Sequence, residues 1–251
     1  MQVRVTGEAR PAPFLGAKEL FETERDLELP VEVRVRENPD ERTWAGHYDD
    51  RHVLNISRQA ARGAMARELA LHEFAHMARH EEDHPSHVQS TREVLYLALA
   101  GHSVERRKLT HCYQIANHMK DIYADDITLA VGPADKLVAY LESALAAAVA
   151  GRPAEPPARA SGRLTPAADP EITAVNAAFA LALCERHDLV DDDHRLYDLA
   201  RAAAADAPAV GVDRFRERFR SLDADTTAQA YRQTLVGAVR EYALVDERAA
   251  D

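Results

Sequence analysis

Between Ala64 and His80 the chain has neither proline nor glycine, and Ala66, Leu69, Ala70, Phe74 and Met77 recur at helical spacing. The stretch is expected to fold as a long helix with one apolar face. Inside it lies His72-Glu73-Phe74-Ala75-His76. Positions four apart sit one turn apart on the same side of a helix. His72 and His76 can therefore offer two imidazole nitrogens to one metal ion, with the Glu73 carboxylate beside the first. A chain of this length produces such a pattern by chance roughly 0.05 times.

The rest of the chain must supply a body around that helix. With 251 residues, 46% of them hydrophobic, it can bury a real core. The formal net charge of -11 argues against nucleic acid or an anionic membrane as the main partner. No basic-then-apolar leader opens the sequence, and no run of about 18 apolar residues occurs. The expectation is a cytoplasmic protein. Cys112 and Cys184 stand far apart and in no metal spacing, and read as two free buried thiols. High Asp, high Ala and only four Lys resemble the composition of proteins from salt-loving archaea.

Taken in order, Met1–Thr6 alternates and reads as a short strand. Phe14–Asp26 reads as a helix, and Val31, Val33 and Val35 alternate with charged residues as a half-buried strand. Thr43–Tyr48 and His52–Ile56 read as two more strands around the turn Asp49-Asp50-Arg51. Asn55 or Ser57 can cap the helix that follows, whose early part contains Gly63. Pro85 closes the helix, with Ser86 as the cap of the next one, Val88–Ala100. Ser103 to about Ala130 is a second long helix, and Ala134–Ala150 a third. The fold class predicted is α+β, mostly helical: a short mixed sheet with its helices, then an Ala-rich helical C-terminal part. The expected division is a first domain at 1–150, a Pro-rich linker at 151–170 and a helical accessory domain at 171–251.

The order strand, turn, strand, His-Glu-x-x-His helix, over roughly Leu29 to Pro133, resembles the small core of the zincin metallopeptidases. The whole chain resembles an uncharacterised archaeal family with such a core. The resemblance implies an exposed edge strand beside the cleft, which we assign to Trp44–Tyr48, that receives an extended peptide. It also implies zinc as the cofactor, held by three protein ligands with a fourth position for water.

Two of those ligands are His72 and His76. The second long helix places His111, Gln114, His118, Asp121 and Asp125 within roughly an 80° arc. Asp121-Ile122-Tyr123-Ala124-Asp125 resembles the E-x-x-A-D element of gluzincin-like peptidases. Carried over, Asp121 is the third ligand, and Asp125 holds a ligand histidine from behind. Asp121 departs from the usual Glu and is one methylene shorter. His84 and Glu105 remain rivals for the third position. His118 is a stabiliser of the oxyanion, an outer partner of the site or simply a packed histidine.

The function expected is a zinc peptidase acting on a polypeptide, with Glu73 as general base. A metal-stabilised module that binds peptides or partner proteins without cutting them is the alternative. A helical protein with no metal is the third reading.

Overall fold

The computed structural model describes residues 1–39, 41–152 and 169–244. The chain is mostly helical with one four-stranded mixed sheet, an α+β fold as the sequence predicts. It divides into two compact units, one made of Met1–Val88 and Tyr123–Lys136, the other of Gln89–Ile122 and Leu137–Asp251.

The first unit opens with strand β1 (Val3–Thr6), helix α1 (Ala12–Phe21) and strand β2 (Val31–Arg36). Strands β3 (Trp44–Tyr48) and β4 (Arg51–Ser57) follow as a hairpin. The sheet order is β1-β2-β4-β3. β1, β2 and β4 run parallel, and β3 pairs antiparallel with β4, Trp44 opposite Asn55 and Tyr48 opposite Arg51. β4 is covered on both faces, which its run Val53-Leu54-Asn55-Ile56 requires. The one polar side chain in that run, Asn55, is satisfied by the Arg36 guanidinium at 2.6 and 2.9 Å. β3 lies at a sheet edge, with Trp44 and Tyr48 exposed at its two ends.

Ser57 ends β4 and caps helix α2 (Arg58–Arg62), accepting the Ala60 N–H at 3.1 Å. The expectation of one helix running through Gly63 is corrected here. Gly63 takes an extended conformation, α2 stops, and helix α3 begins separately as Ala66–Glu81. α3 buries Ala70, Phe74 and Met77 against the sheet and α1. The Phe74 ring meets Phe21 edge-on, with centroids 6.1 Å apart.

The end of α3 re-aims the chain. Asp83 is left-handed at φ 50°. Its N–H donates to His80 O at 3.1 Å, and the His84 N–H donates to Arg79 O at 2.9 Å. That pair of bonds is a Schellman motif with Asp where glycine is usual. It folds the chain back into the short helix α4 (Pro85–Val88). Helix α5 (Thr91–Leu99) is capped by Ser90, not by Ser86 as the sequence suggested: the Glu93 N–H donates to Ser90 Oγ at 3.3 Å. Ser86 is fully buried instead.

The second unit contains α5, the first part of helix α6 (Arg106–Val131), α7 (Asp135–Ala150), α8 (Pro170–Arg186), α9 (Arg195–Asp206), α10 (Val212–Arg220) and α11 (Ala228–Ala243). Helix α8 is its axis. Nearly every side chain from Ile172 to Cys184 is buried, the signature of a helix surrounded on all sides. Leu145 of α7 packs with Ala177, Leu181 and Cys184 of α8 and Leu196 of α9. That shared core places α7 with the C-terminal helices, whereas the sequence put the division at 150. The proposed linker falls mostly on residues 153–168, outside the described residues. No helix among the described residues is long and apolar enough to cross a membrane.

Candidate metal centre

Helix α3 brings His72 and His76 onto one face, and their Nε2 atoms lie 3.0 Å apart. Each ring is held from the other side. His72 Nδ1 donates to Asp125 Oδ1 at 2.7 Å, and Asp125 is almost fully buried. His76 Nδ1 lies 2.7 Å from His87 Nε2, on the short helix that the Schellman turn folds back. Asp121 stands one turn before Asp125 on α6. The division between the two units falls inside this unbroken helix, just after Ile122. One ligand atom from each of His72, His76 and Asp121 lies within 4.8 Å of the others, and all three residues are partly exposed. Two imidazole nitrogens and a carboxylate oxygen form a group able to hold a metal ion.

The residues predicted from sequence distribute as follows. Glu73 is buried on α3 beside His72. His118 is buried, with its Nδ1 3.6 Å from Asp121 Oδ2 and without a hydrogen bond; its Nε2 reaches Asn176 Oδ1 at 2.8 Å. Its ring stacks on Phe179 at 4.2 Å. His84 is buried and its Nδ1 lies 2.7 Å from Ser86 Oγ, so it does not join the His72–His76–Asp121 group. Glu105 is exposed ahead of α6 and outside that group.

His111, at the start of the same polar stripe on α6, is engaged elsewhere in the second unit. Its Nε2 lies 3.2 Å from Asp169 Oδ2, and its Nδ1 is bonded to the Tyr242 hydroxyl. Arg107 donates to both Asp169 oxygens at 2.5 and 2.7 Å, and Tyr242 Oη donates to Glu171 at 2.7 Å. Asp169 also caps α8 by accepting the Glu171 N–H at 3.0 Å. Burial works against ionising Asp169, but Arg107 and His111 outweigh it and hold the carboxyl far below the usual range. Burial likewise opposes a charge on His111, yet Asp169 and Glu171 pull its pKa above the ordinary value. His111, Asp169 and Glu171 also stand close enough to share an ion. With the Arg107 guanidinium already on both Asp169 oxygens, the arrangement is an ion network.

Sequence reasoning missed the histidines that tie the edge strand to α3. The His47 ring of β3 stacks on His80 of α3, centroids 4.0 Å apart. His47 Nδ1 lies 3.0 Å from His52 Nδ1, and His52 Nε2 donates to Glu81 at 3.0 Å. Burial pushes the His52 pKa below its ordinary value, against the pull of Glu81. It also missed His87 and Ser86 behind His76. Eleven residues separate His76 from His87, and only the left-handed turn at Asp83 brings them together.

The site is a His–His–Asp group that could hold a metal ion, its two histidines on α3 of the small α+β unit and Asp121 on α6. The chain belongs to DUF5781, a family of unknown function, whose family model matches residues 1–244. Neither a curated protein nor a solved structure matches it.

Proposed function

We propose that this protein is a zinc-dependent peptidase. The observation that carries the reading is the pair of Nε2 atoms facing each other at 3.0 Å, each ring engaged on its Nδ1 side. Two lone pairs directed at one point repel unless a proton or a cation lies between them. With Asp121 the donor set is two imidazoles and one carboxylate, a set zinc accepts. A bound zinc ion would polarise a scissile carbonyl and acidify a water molecule.

The chain's own residues then do three things. His72, His76 and Asp121 would hold the ion, with Asp125 fixing the plane of the His72 ring. Glu73 takes the water proton and returns it to the leaving amine, so the proton balance closes on one carboxylate. The open edge of β3, tied to α3 through His47 and His80, pairs with the backbone of an extended polypeptide.

The test is Glu73→Gln in the full chain, with zinc content and cleavage of a denatured, casein-like protein measured together. The reading expects about one zinc per chain in both proteins and cleavage by the wild type alone. A wild type that holds zinc and cuts none of a broad panel of substrates would leave the non-catalytic peptide-binding module as the function. A wild type that cannot be loaded with zinc would leave neither.

A further inference from the structure

Behind His76 runs a row of short contacts. His76 Nδ1 meets His87 Nε2 at 2.7 Å, His87 Nδ1 meets Ser86 Oγ at 2.7 Å, and Ser86 Oγ meets His84 Nδ1 at 2.7 Å. The Ser86 backbone N–H also points at His84 Nδ1, at 3.3 Å. Ser86 is fully buried and His84 nearly so, so the donors and acceptors of this row must match one another.

The backbone amide sets the direction, because it can only donate. His84 Nδ1 must therefore carry a lone pair. The Ser86 hydroxyl proton then goes to that same lone pair, since two acceptors cannot face each other at 2.7 Å. Ser86 Oγ is left to accept from His87 Nδ1–H. A neutral His87 protonated on Nδ1 has a lone pair on Nε2, which accepts from His76 Nδ1–H. His76 is thereby left with Nε2, the nitrogen that faces His72, as its metal-binding atom; without an ion, one proton shared between the two Nε2 atoms relieves the repulsion of their lone pairs. On the other side Asp125 makes the same demand of His72, by accepting from its Nδ1–H.

We propose that the Ser86–His84–His87 row is a tautomer lock. It anchors a proton of His76 on Nδ1 through a backbone amide, so that an arriving cation has only the proton shared between the two facing Nε2 atoms to displace. His87 and Ser86 are positioning residues in this account, and neither touches the metal. The lock rests on the metal reading above only for its purpose, since the hydrogen bonds exist without an ion.

Two measurements test it. The first is the imidazole nitrogen NMR spectrum of the metal-free full chain, which distinguishes Nδ1–H from Nε2–H. The wild type should keep a proton on His76 Nδ1, and His87→Leu should lose it in favour of the Nε2–H form. A wild-type His76 with no proton on Nδ1 would overturn the proposal. The second is zinc affinity by chelator competition on folded proteins. His87→Leu should bind zinc about 10–100-fold more weakly, the usual cost of losing an outer partner of a ligand. His87→Gln, whose carbonyl can still accept from Nδ1–H, should recover most of that loss. His87→Lys can only donate and should not recover it. Equal affinities for the Gln and Lys variants would show that packing alone matters at this position, and would reject the lock. If the wild type binds no zinc, the peptidase reading falls and the tautomer spectrum decides the lock by itself.

Discussion

Asp125 Oδ1 accepts the His72 Nδ1 proton at 2.7 Å, from a side chain only 4% exposed. A buried carboxylate in that position orients the imidazole and fixes its proton on Nδ1. Asp125→Asn should lower zinc affinity about 10–100-fold while the fold is kept, because the amide can still meet the ring. Chelator competition with circular dichroism on the same samples checks both halves. An unchanged affinity would mean that His72 is not a ligand.

The third ligand has its own test. Asp121 belongs to the close-set group, while His84 is turned to Ser86 and Glu105 is exposed. Asp121→Ala should abolish stoichiometric zinc retention on gel filtration. His84→Ala should weaken it only through the disturbed Ser86–His87 contacts, and Glu105→Ala should leave it intact. The reverse order for Asp121 and His84 would move the ligand.

The turn at Asp83 makes a separate prediction. A left-handed residue other than glycine costs roughly 1 kcal/mol, less for Asp than for branched side chains. Asp83→Gly should keep the melting temperature or raise it slightly. Asp83→Val should lower it, and should lower zinc affinity with it, because the turn delivers His87 to His76. Retained affinity in a folded Asp83→Val protein would argue that the return of the chain has another cause.

The ion network of the second unit should leave a mark on stability against pH. The Asp169 and Glu171 carboxyls are held below their unfolded values of 3.8 and 4.5. Their contribution is therefore complete above about pH 4.5 and lost as pH falls through the folded values. The His111 pKa is raised above 6.5, so its contribution is complete below that pH and lost as pH rises through the folded value. The melting-temperature gap between wild type and His111→Leu should be widest between about pH 4.5 and 6.5 and narrow on both sides. A gap independent of pH would reduce His111 to a packing residue.

Cys112 and Cys184 are free and buried, and burial pushes their thiols up to about 12 and about 11. Neither should react with a disulfide reagent at pH 8 in the native state, and two thiols per chain should react in denaturant. Fast native labelling of either would place it at a surface.

The sequence made the His-Glu-x-x-His helix and the strands legible because both rest on local periodicity. Val31, Val33 and Val35 alternate, and His72 and His76 need only one helical turn to meet. Asp121 and Asp125 were legible for the same reason, since both lie on one face of α6. What was not legible depended on where the chain turns. Ser86 read as a helix cap, although Ser90 with Glu93 three residues on carries the stronger capping signature. The partnership of His76 and His87 hangs on one backbone angle at Asp83, which no periodicity announces. His111 and His118 share a helix stripe with Asp121, yet α8 and α11 supply partners to them that only the tertiary packing reveals.

The brevity of β3 sets a footprint. Five residues span about 17 Å, and only alternate ones turn their amide and carbonyl outward from β4. A guest chain laid along that rim can register with two or three of them and then runs out of template. Any preference extending past about five guest residues must be written somewhere other than the sheet.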